Sequence, residues 1–278
     1  MPQLVYLCRF KMKSALSICA LILMASCSQY GKALKSPDRS ARFKAAYAYY
    51  QKKDYVRAQP LLESLLPYYR GQDSSEVIYY YYAYCFYGMK DYQTASYHFQ
   101  SFTDNFFNSV HQSECAYMAV YCKVLDANPS YLDQSETQKT IEELQLFINM
   151  NPNSSYVDLC NGHIDKLRET LRRKAYDNAY LYYKTGDYKA AAVALKNVLR
   201  DYPDLEQKEE TEFLVVRSSF LYAQNSIDTK KTERYMAALD EIAEYREDNN
   251  AQSPYWEDVS RIEKQIRRDL ENLRKLNI

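Results

Sequence analysis

The chain has 278 residues, with 36 basic against 36 acidic side chains, 47% hydrophobic and 15% aromatic content. Thirty tyrosines against five glycines and one tryptophan favour helices over a turn-rich sandwich or barrel. Charge neutrality argues against a nucleic-acid binder, which would carry a basic surplus, and the length suits one or two domains or an elongated repeat array.

At the N-terminus, Arg9, Lys11 and Lys13 precede an apolar stretch from Ala15 to Ala25, followed by Ser26 and Cys27. A basic start, a short apolar segment and small residues before a cleavage point make a secretory signal. The cysteine directly after Ala25-Ser26 makes it look like a bacterial lipoprotein signal, with residues 1–26 removed and Cys27 acylated, although Met24 stands where such signals usually carry leucine. Met12 is an alternative start. Removing residues 1–26 takes away three basic and no acidic side chains, leaving 33 against 36, a net of −3 that is too mild to steer a partner. No run reaches the roughly 18 apolar residues of a spanning helix, so membrane attachment would come from acyl chains on Cys27. Residues 27–38 would be the tether.

From residue 39 the chain repeats itself. Asp54-Tyr55-x-x-Ala58 recurs as Asp91-Tyr92-x-x-Ala95, a shift of 37, and as Asp187-Tyr188-x-x-Ala191, a further 96. Upstream, Ala46-Tyr47-x-Tyr49-Tyr50 returns as Ala83-Tyr84-x-Phe86-Tyr87 and Ala179-Tyr180-x-Tyr182-Tyr183 in the same register, with a weaker copy at Val120-Tyr121-Cys122. Each unit reads as helix, short turn, helix, the aspartate being a good N-cap for the second helix and the alanine allowing close approach. This resembles the tetratricopeptide repeat. Clear units span about 39–70, 76–107 and 172–203. Another, near 113–152, is interrupted between its helices at 127–134, and its second helix holds Thr140, Leu144 and Phe147. A degenerate fifth runs from about Glu209 to Arg246, and Pro254 to Leu276 reads as a final helix. Residues 156–184 lack a strong breaker and read as one long helix with Gly162 its weak point. The expected fold is an all-α superhelical solenoid of about five hairpins, with repeats 1–3 over 39–152 and repeats 4–5 plus the terminal helix over 153–278.

In such solenoids the first helix of each hairpin lines the inner surface. One face of those helices reads Phe43, Tyr47 and Tyr50, then Tyr80, Tyr84 and Tyr87, then Tyr117 and Tyr121, then Tyr176, Tyr180 and Tyr183. Spacing of i, i+4, i+7 puts each group on one stripe. These tyrosines could simply pack between hairpins. Ala46 with Tyr49, Ala83 with Phe86 and Ala179 with Tyr182 already supply a packing face, however, and tyrosine suits a half-exposed groove. An aromatic groove fits an extended or amphipathic peptide better than a small metabolite. The client site is therefore expected at Phe43, Tyr47, Tyr50, Tyr80, Tyr84, Tyr87, Tyr117 and Tyr121.

No glycine-rich phosphate loop, nucleophile elbow or loop carboxylate pair is present, so no enzyme and no cofactor are expected. His111 shares a helical face with Cys115 and Cys122, but no fourth ligand is indicated and no metal site is expected. Cys85 and Cys122 occupy equivalent first-helix positions about 8–10 Å apart by axis, beyond disulfide reach, so buried free thiols are expected even in an oxidising compartment.

Taken together, the chain resembles the BamD family, the repeat lipoproteins of the outer-membrane β-barrel assembly machinery. The matches are the lipoprotein start at Cys27, five repeat units in this length, Leu132-Asp133-Gln134 ahead of the third unit's second helix, and Leu199-Arg200-Asp201-Tyr202-Pro203-Asp204 closing the fourth. The tract Cys27-Ser28-Gln29-Tyr30-Gly31-Lys32 and the tyrosine abundance look like the Bacteroidetes version. The resemblance implies a lipid anchor on the periplasmic face of the outer membrane, N-terminal repeats that receive unfolded outer-membrane protein precursors, and C-terminal repeats that dock a periplasmic domain of BamA. Pro60, inside a second helix, departs from the repeat pattern. The alternatives are a repeat lipoprotein scaffolding other envelope enzymes, and a SusD-type uptake lipoprotein, which is normally much longer.

Overall fold

The computed structural model describes residues 29–69 and 74–276; Cys27 and the signal segment lie outside them. Every regular element among the described residues is a helix. The described part of α1 covers residues 29–35. It is followed by α2 (Arg39–Gln51), α3 (Tyr55–Glu63), a single turn α4 (Leu66–Tyr69), α5 (Ser74–Gly88), α6 (Tyr92–Asn105), α7 (Gln112–Leu125) and α8 (Ser135–Met150). Then come α9 (Val157–Thr185), α10 (Tyr188–Asp201), α11 (Lys208–Gln224), α12 (Asp228–Asp248) and α13 (Trp256–Leu276). The pairs α2/α3, α5/α6, α7/α8, α9/α10 and α11/α12 are the five hairpins, and α13 is the terminal helix.

Three of the hairpins turn by one device. Lys53, Lys90 and Gly186 adopt φ of 58°, 63° and 83°, the left-handed cap that ends a helix. The following N–H groups of Asp54, Asp91 and Asp187 donate back to the carbonyls of Tyr49, Phe86 and Tyr182 at 2.9, 3.0 and 3.0 Å. Each aspartate then caps the next helix, its carboxylate accepting from the N–H of Arg57, Thr94 or Ala190 at 3.3, 3.2 and 3.2 Å. One residue thus satisfies orphan groups of two helices at once. The alanines four positions on, Ala58, Ala95 and Ala191, are fully buried and let the helices close on each other.

The described residues form two compact units, one made of those up to 127 with 135–164, the other of 128–134 with those from 165 on. The division falls inside α9, between residues 164 and 165. Helix α9 itself is unbroken over 29 residues, as the lack of a breaker predicts.

In unit 1, α3 packs on α2 and α5, α6 on α5 and α7, and α8 on α7. The core between the first hairpins contains Ala46, Ala58, Leu61, Leu62, Leu65, Ile78, Tyr82 and Cys85. Pro60 lies within α3, where it lacks the N–H that would bond back one turn. The helix ends three residues later at Glu63 and resumes as α4, so the second helix of this hairpin is split. In the third hairpin the expected apolar face forms, with Thr140, Leu144 and Phe147 buried.

In unit 2, Ala179, Ala191, Leu195, Val198, Leu205, Leu214 and Val215 form one core cluster, and Phe213, Val216, Tyr235, Ile242, Val259 and Ile266 belong to a second that holds α11, α12 and α13 together. The loop at 128–134 is stapled by Gln134. Its amide donates to the carbonyls of Pro129 and Leu132 at 2.8 and 3.1 Å, with the residue only 5% exposed.

Candidate functional site

The expected stripe in unit 1 forms a connected run of rings across the first helices of its hairpins. Tyr47 stacks beside Phe43 (centroids 6.4 Å) and meets Tyr81 edge-on at 5.2 Å. Tyr81 also meets Tyr50 at 4.8 Å and Tyr80 at 5.5 Å. The run continues through Tyr80–Tyr84 at 4.7 Å, Tyr84–Tyr87 at 6.1 Å and Tyr87–Tyr121 at 6.5 Å. Tyr117 and Tyr156 extend it, Tyr117 stacking on Tyr121 at 5.4 Å and on Tyr156 at 4.4 Å.

Exposure is graded along the run. Tyr47 is 38% exposed, and Phe43, Tyr50, Tyr80, Tyr84, Tyr87 and Tyr121 are half-buried. Tyr117 is 6% exposed, its phenol bonded to His163 Nε2 at 3.1 Å, and burial pushes its pKa up to about 12. It serves as the run's inner support more than as contact surface. Tyr84 reaches inward too, meeting the fully buried Phe99 edge-on at 4.9 Å.

The run has a charged centre that the aromatic pattern did not reveal. Glu114 Oε1 accepts from the hydroxyls of Tyr80 and Tyr84 at 2.9 and 2.5 Å, and Oε2 lies 3.3 Å from His111 Nδ1. Burial first, then these bonds to an anion, hold both phenols well above their ordinary pKa. Nearby, Ser109 donates to Glu76 at 2.5 Å. Positions 114, 117 and 121 share one helical face, and 114 corresponds to Val77 and Ser40 in the repeat register. The charge could thus have been found by reading the stripe one turn further. Tyr156 and His163 join the run through a neighbouring helix, meeting Tyr117 of α7.

The packing face is as expected at Ala46, Ala83 and Ala179, all buried. Tyr49 and Phe86 are half-buried; Phe86 stacks on His98 at 5.0 Å. Tyr182 corrects the expectation, being 46% exposed. In repeat register Ala194 replaces His98, and Tyr182 has no ring contact among the described residues to match that of Phe86 with His98.

In unit 2, Tyr176, Tyr180 and Tyr183 stack at 5.7 and 5.8 Å with nearly parallel planes. Here the chain supplies its own cations, Lys184 over Tyr180 at 4.7 Å and Arg217 over Tyr183 at 5.8 Å. Cys85, Cys115, Cys122 and Cys160 are free and buried. Desolvation raises their thiol pKa values, to about 12 for Cys85 and Cys122 and about 11 for Cys160. His111 is engaged with Glu114, while Cys115 and Cys122 lie in the core. No helix among the described residues is long and apolar enough to cross a membrane.

Among solved structures, the tetratricopeptide-repeat domain of P58(IPK) is similar at 12% identity with a TM-score of 0.38, covering 86% of this chain. The chain in turn spans 65% of that protein's length. No curated protein sequence matches. The family model described as YfiO, outer membrane lipoprotein, matches residues 35–237, from the start of the repeats into the fifth hairpin. That match covers well over half of the sequence, and the chain belongs to this BamD-like family of outer membrane lipoproteins.

Proposed function

We propose that the protein serves the assembly of outer-membrane β-barrels, anchored by acyl chains on Cys27. In this reading unfolded barrel precursors lie along the aromatic run of unit 1, and BamA docks on the C-terminal repeats within residues 153–278. The observation that carries the client site is the connected run from Phe43 to Tyr121. Its half-buried rings with polar tips offer an extended segment a long, sequence-tolerant contact surface. Membership of the outer membrane lipoprotein family supports the cellular setting.

The test is affinity purification from detergent-solubilised membranes, combined with titration of aromatic-ended peptides from barrel strands. BamA is expected as the dominant co-purifying protein. Tyr47→Ala and Tyr87→Ala are each expected to weaken peptide binding by about 1–2 kcal/mol, as truncation of a hot-spot ring does. Cys27→Ser is expected to release the protein from the outer-membrane fraction. Recovery of other envelope enzymes in place of BamA, with peptide affinity indifferent to both tyrosines, would replace this reading by that of a scaffold.

A further inference from the structure

We propose that Glu114 makes the aromatic run of unit 1 selective for a cationic side chain, so that the segment it takes carries a lysine or arginine set among aromatic residues. This rests on reading that run as the client site, and it specifies the chemistry the site selects.

The carboxylate stands at the middle of the run, bonded to Tyr80 and Tyr84 through one oxygen and to His111 through the other. It remains 29% exposed. A carboxylate offers about four acceptor positions, and three are used, so Oε2 keeps one. Phenol hydroxyls and the first turn of α7 stabilise the negative charge, but they do not neutralise it. No lysine or arginine among the described residues forms an ion pair with Glu114; its one basic neighbour is His111.

The His111 ring lies 4.3 Å from that of Tyr80, and Tyr80 and Tyr84 pack together at 4.7 Å, so these rings are partly covered, but no lysine or arginine among the described residues lies over them. The cation–ring contacts among the described residues of unit 1 are Arg39 on Tyr68 and Arg57 on Tyr49, both off the run. In unit 2, by contrast, Lys184 and Arg217 already cover the equivalent tyrosines. A cation entering unit 1 would meet the carboxylate first, with the remaining exposed parts of the flanking tyrosine rings attracting it in the same direction. A neutral residue placed there would desolvate Glu114 further with its remaining acceptor position unfilled, and an acidic one would repel it, so the site rejects as well as attracts.

The experiment compares two short synthetic peptides of alternating aromatic and polar residues, identical except for a central lysine or norleucine, which keeps the four-carbon stem and lacks the ammonium group. Both are titrated into the wild-type protein and into Glu114→Gln. Wild type is expected to prefer the lysine peptide about tenfold, the scale of one charge-assisted hydrogen bond at a part-exposed site. Glu114→Gln should bring that ratio close to one. Should Glu114→Gln fold poorly, the wild-type ratio read across a salt series gives an independent measure, since it should shrink as ionic strength rises. Equal binding of the two peptides by wild type, or a preference that survives both Glu114→Gln and salt, would overturn the inference while leaving the client site standing. Failure of either peptide to bind, or binding unaffected by Tyr47→Ala, would instead remove the client site itself.

Discussion

The hairpin turns permit a quantitative test of how the repeats are held. Lys53 and Lys90 occupy the left-handed region at φ of 58° and 63°, where the third equivalent turn has Gly186 at 83°. A residue with a Cβ there costs about 1–2 kcal/mol. Both lysines are exposed, so their side chains return little in packing. Replacing either by glycine removes the strain and adds about 0.5–1 kcal/mol of unfolded-state entropy. The net is a gain of about 0.5–1 kcal/mol for each of Lys53→Gly and Lys90→Gly. The sites lie in different hairpins, so the gains should add. At about 2–4 °C per kcal/mol for a unit of this size, the double variant should melt several degrees higher. The converse is cleaner still. A Cβ on Gly186 would meet nothing within 4 Å, so Gly186→Ala isolates the backbone cost and should lower stability by about 1 kcal/mol. Helical circular dichroism through urea and thermal unfolding measures all three variants. If both lysine-to-glycine changes lower the midpoint while Gly186→Ala leaves it untouched, backbone strain is not what governs these turns.

Gly88→Ala should be among the costlier small changes, because its Cβ would stand 2.2 Å from the ring of Tyr55, which Tyr50 meets edge-on at 5.6 Å. A loss of about 1–3 kcal/mol is expected, whereas Gly162→Ala, in open space within α9, should gain about 0.5–1 kcal/mol; equal midpoints for the two would refute the packing argument. Tyr117→Ala should cost about 3–5 kcal/mol as a buried, stacked ring, against under about 1 kcal/mol for Tyr47→Ala, and denaturant melts showing the reverse order would invert the assignment of support and contact surface. The four buried thiols should resist Ellman's reagent at pH 8 in the folded protein shortened to begin at Ser28, which leaves out Cys27, and react together on unfolding; one thiol titrating within the mixing time would contradict its burial.

Much of the architecture was readable because the turn device is local. An aspartate that closes one helix and opens the next must recur at a fixed offset from the tyrosines before it and the alanine after it. Three copies of that pattern therefore placed three hairpins in register. The fifth hairpin lacks it: Ile227 stands at the N-cap of α12 with no side-chain cap bond, and only helical periodicity marked it. The aromatic stripe followed from spacing within single helices. Glu114 with its two tyrosines, and the stacking of Tyr117 on Tyr156, depend on which helices become neighbours, which spacing within one helix does not encode. Tyr182 shows the limit from the other side. Its equivalents Tyr49 and Phe86 find large partners, but with alanine at 194 it has no ring contact among the described residues, so the same motif position has a different environment.

The double duty of Asp54, Asp91 and Asp187 has a consequence for how such a chain can vary in length. No residue in these joints is spare: adding or deleting one would separate the cap of one helix from the cap of the next, and both helices would lose their terminal bonds together. Tolerance for insertion should therefore concentrate in the connections between hairpins, at 106–111, 151–156 and 202–207, and in the third hairpin, whose long joint at 126–134 is held by Gln134. Those are the positions at which a probe or an additional recognition loop could be grafted without disturbing the stack.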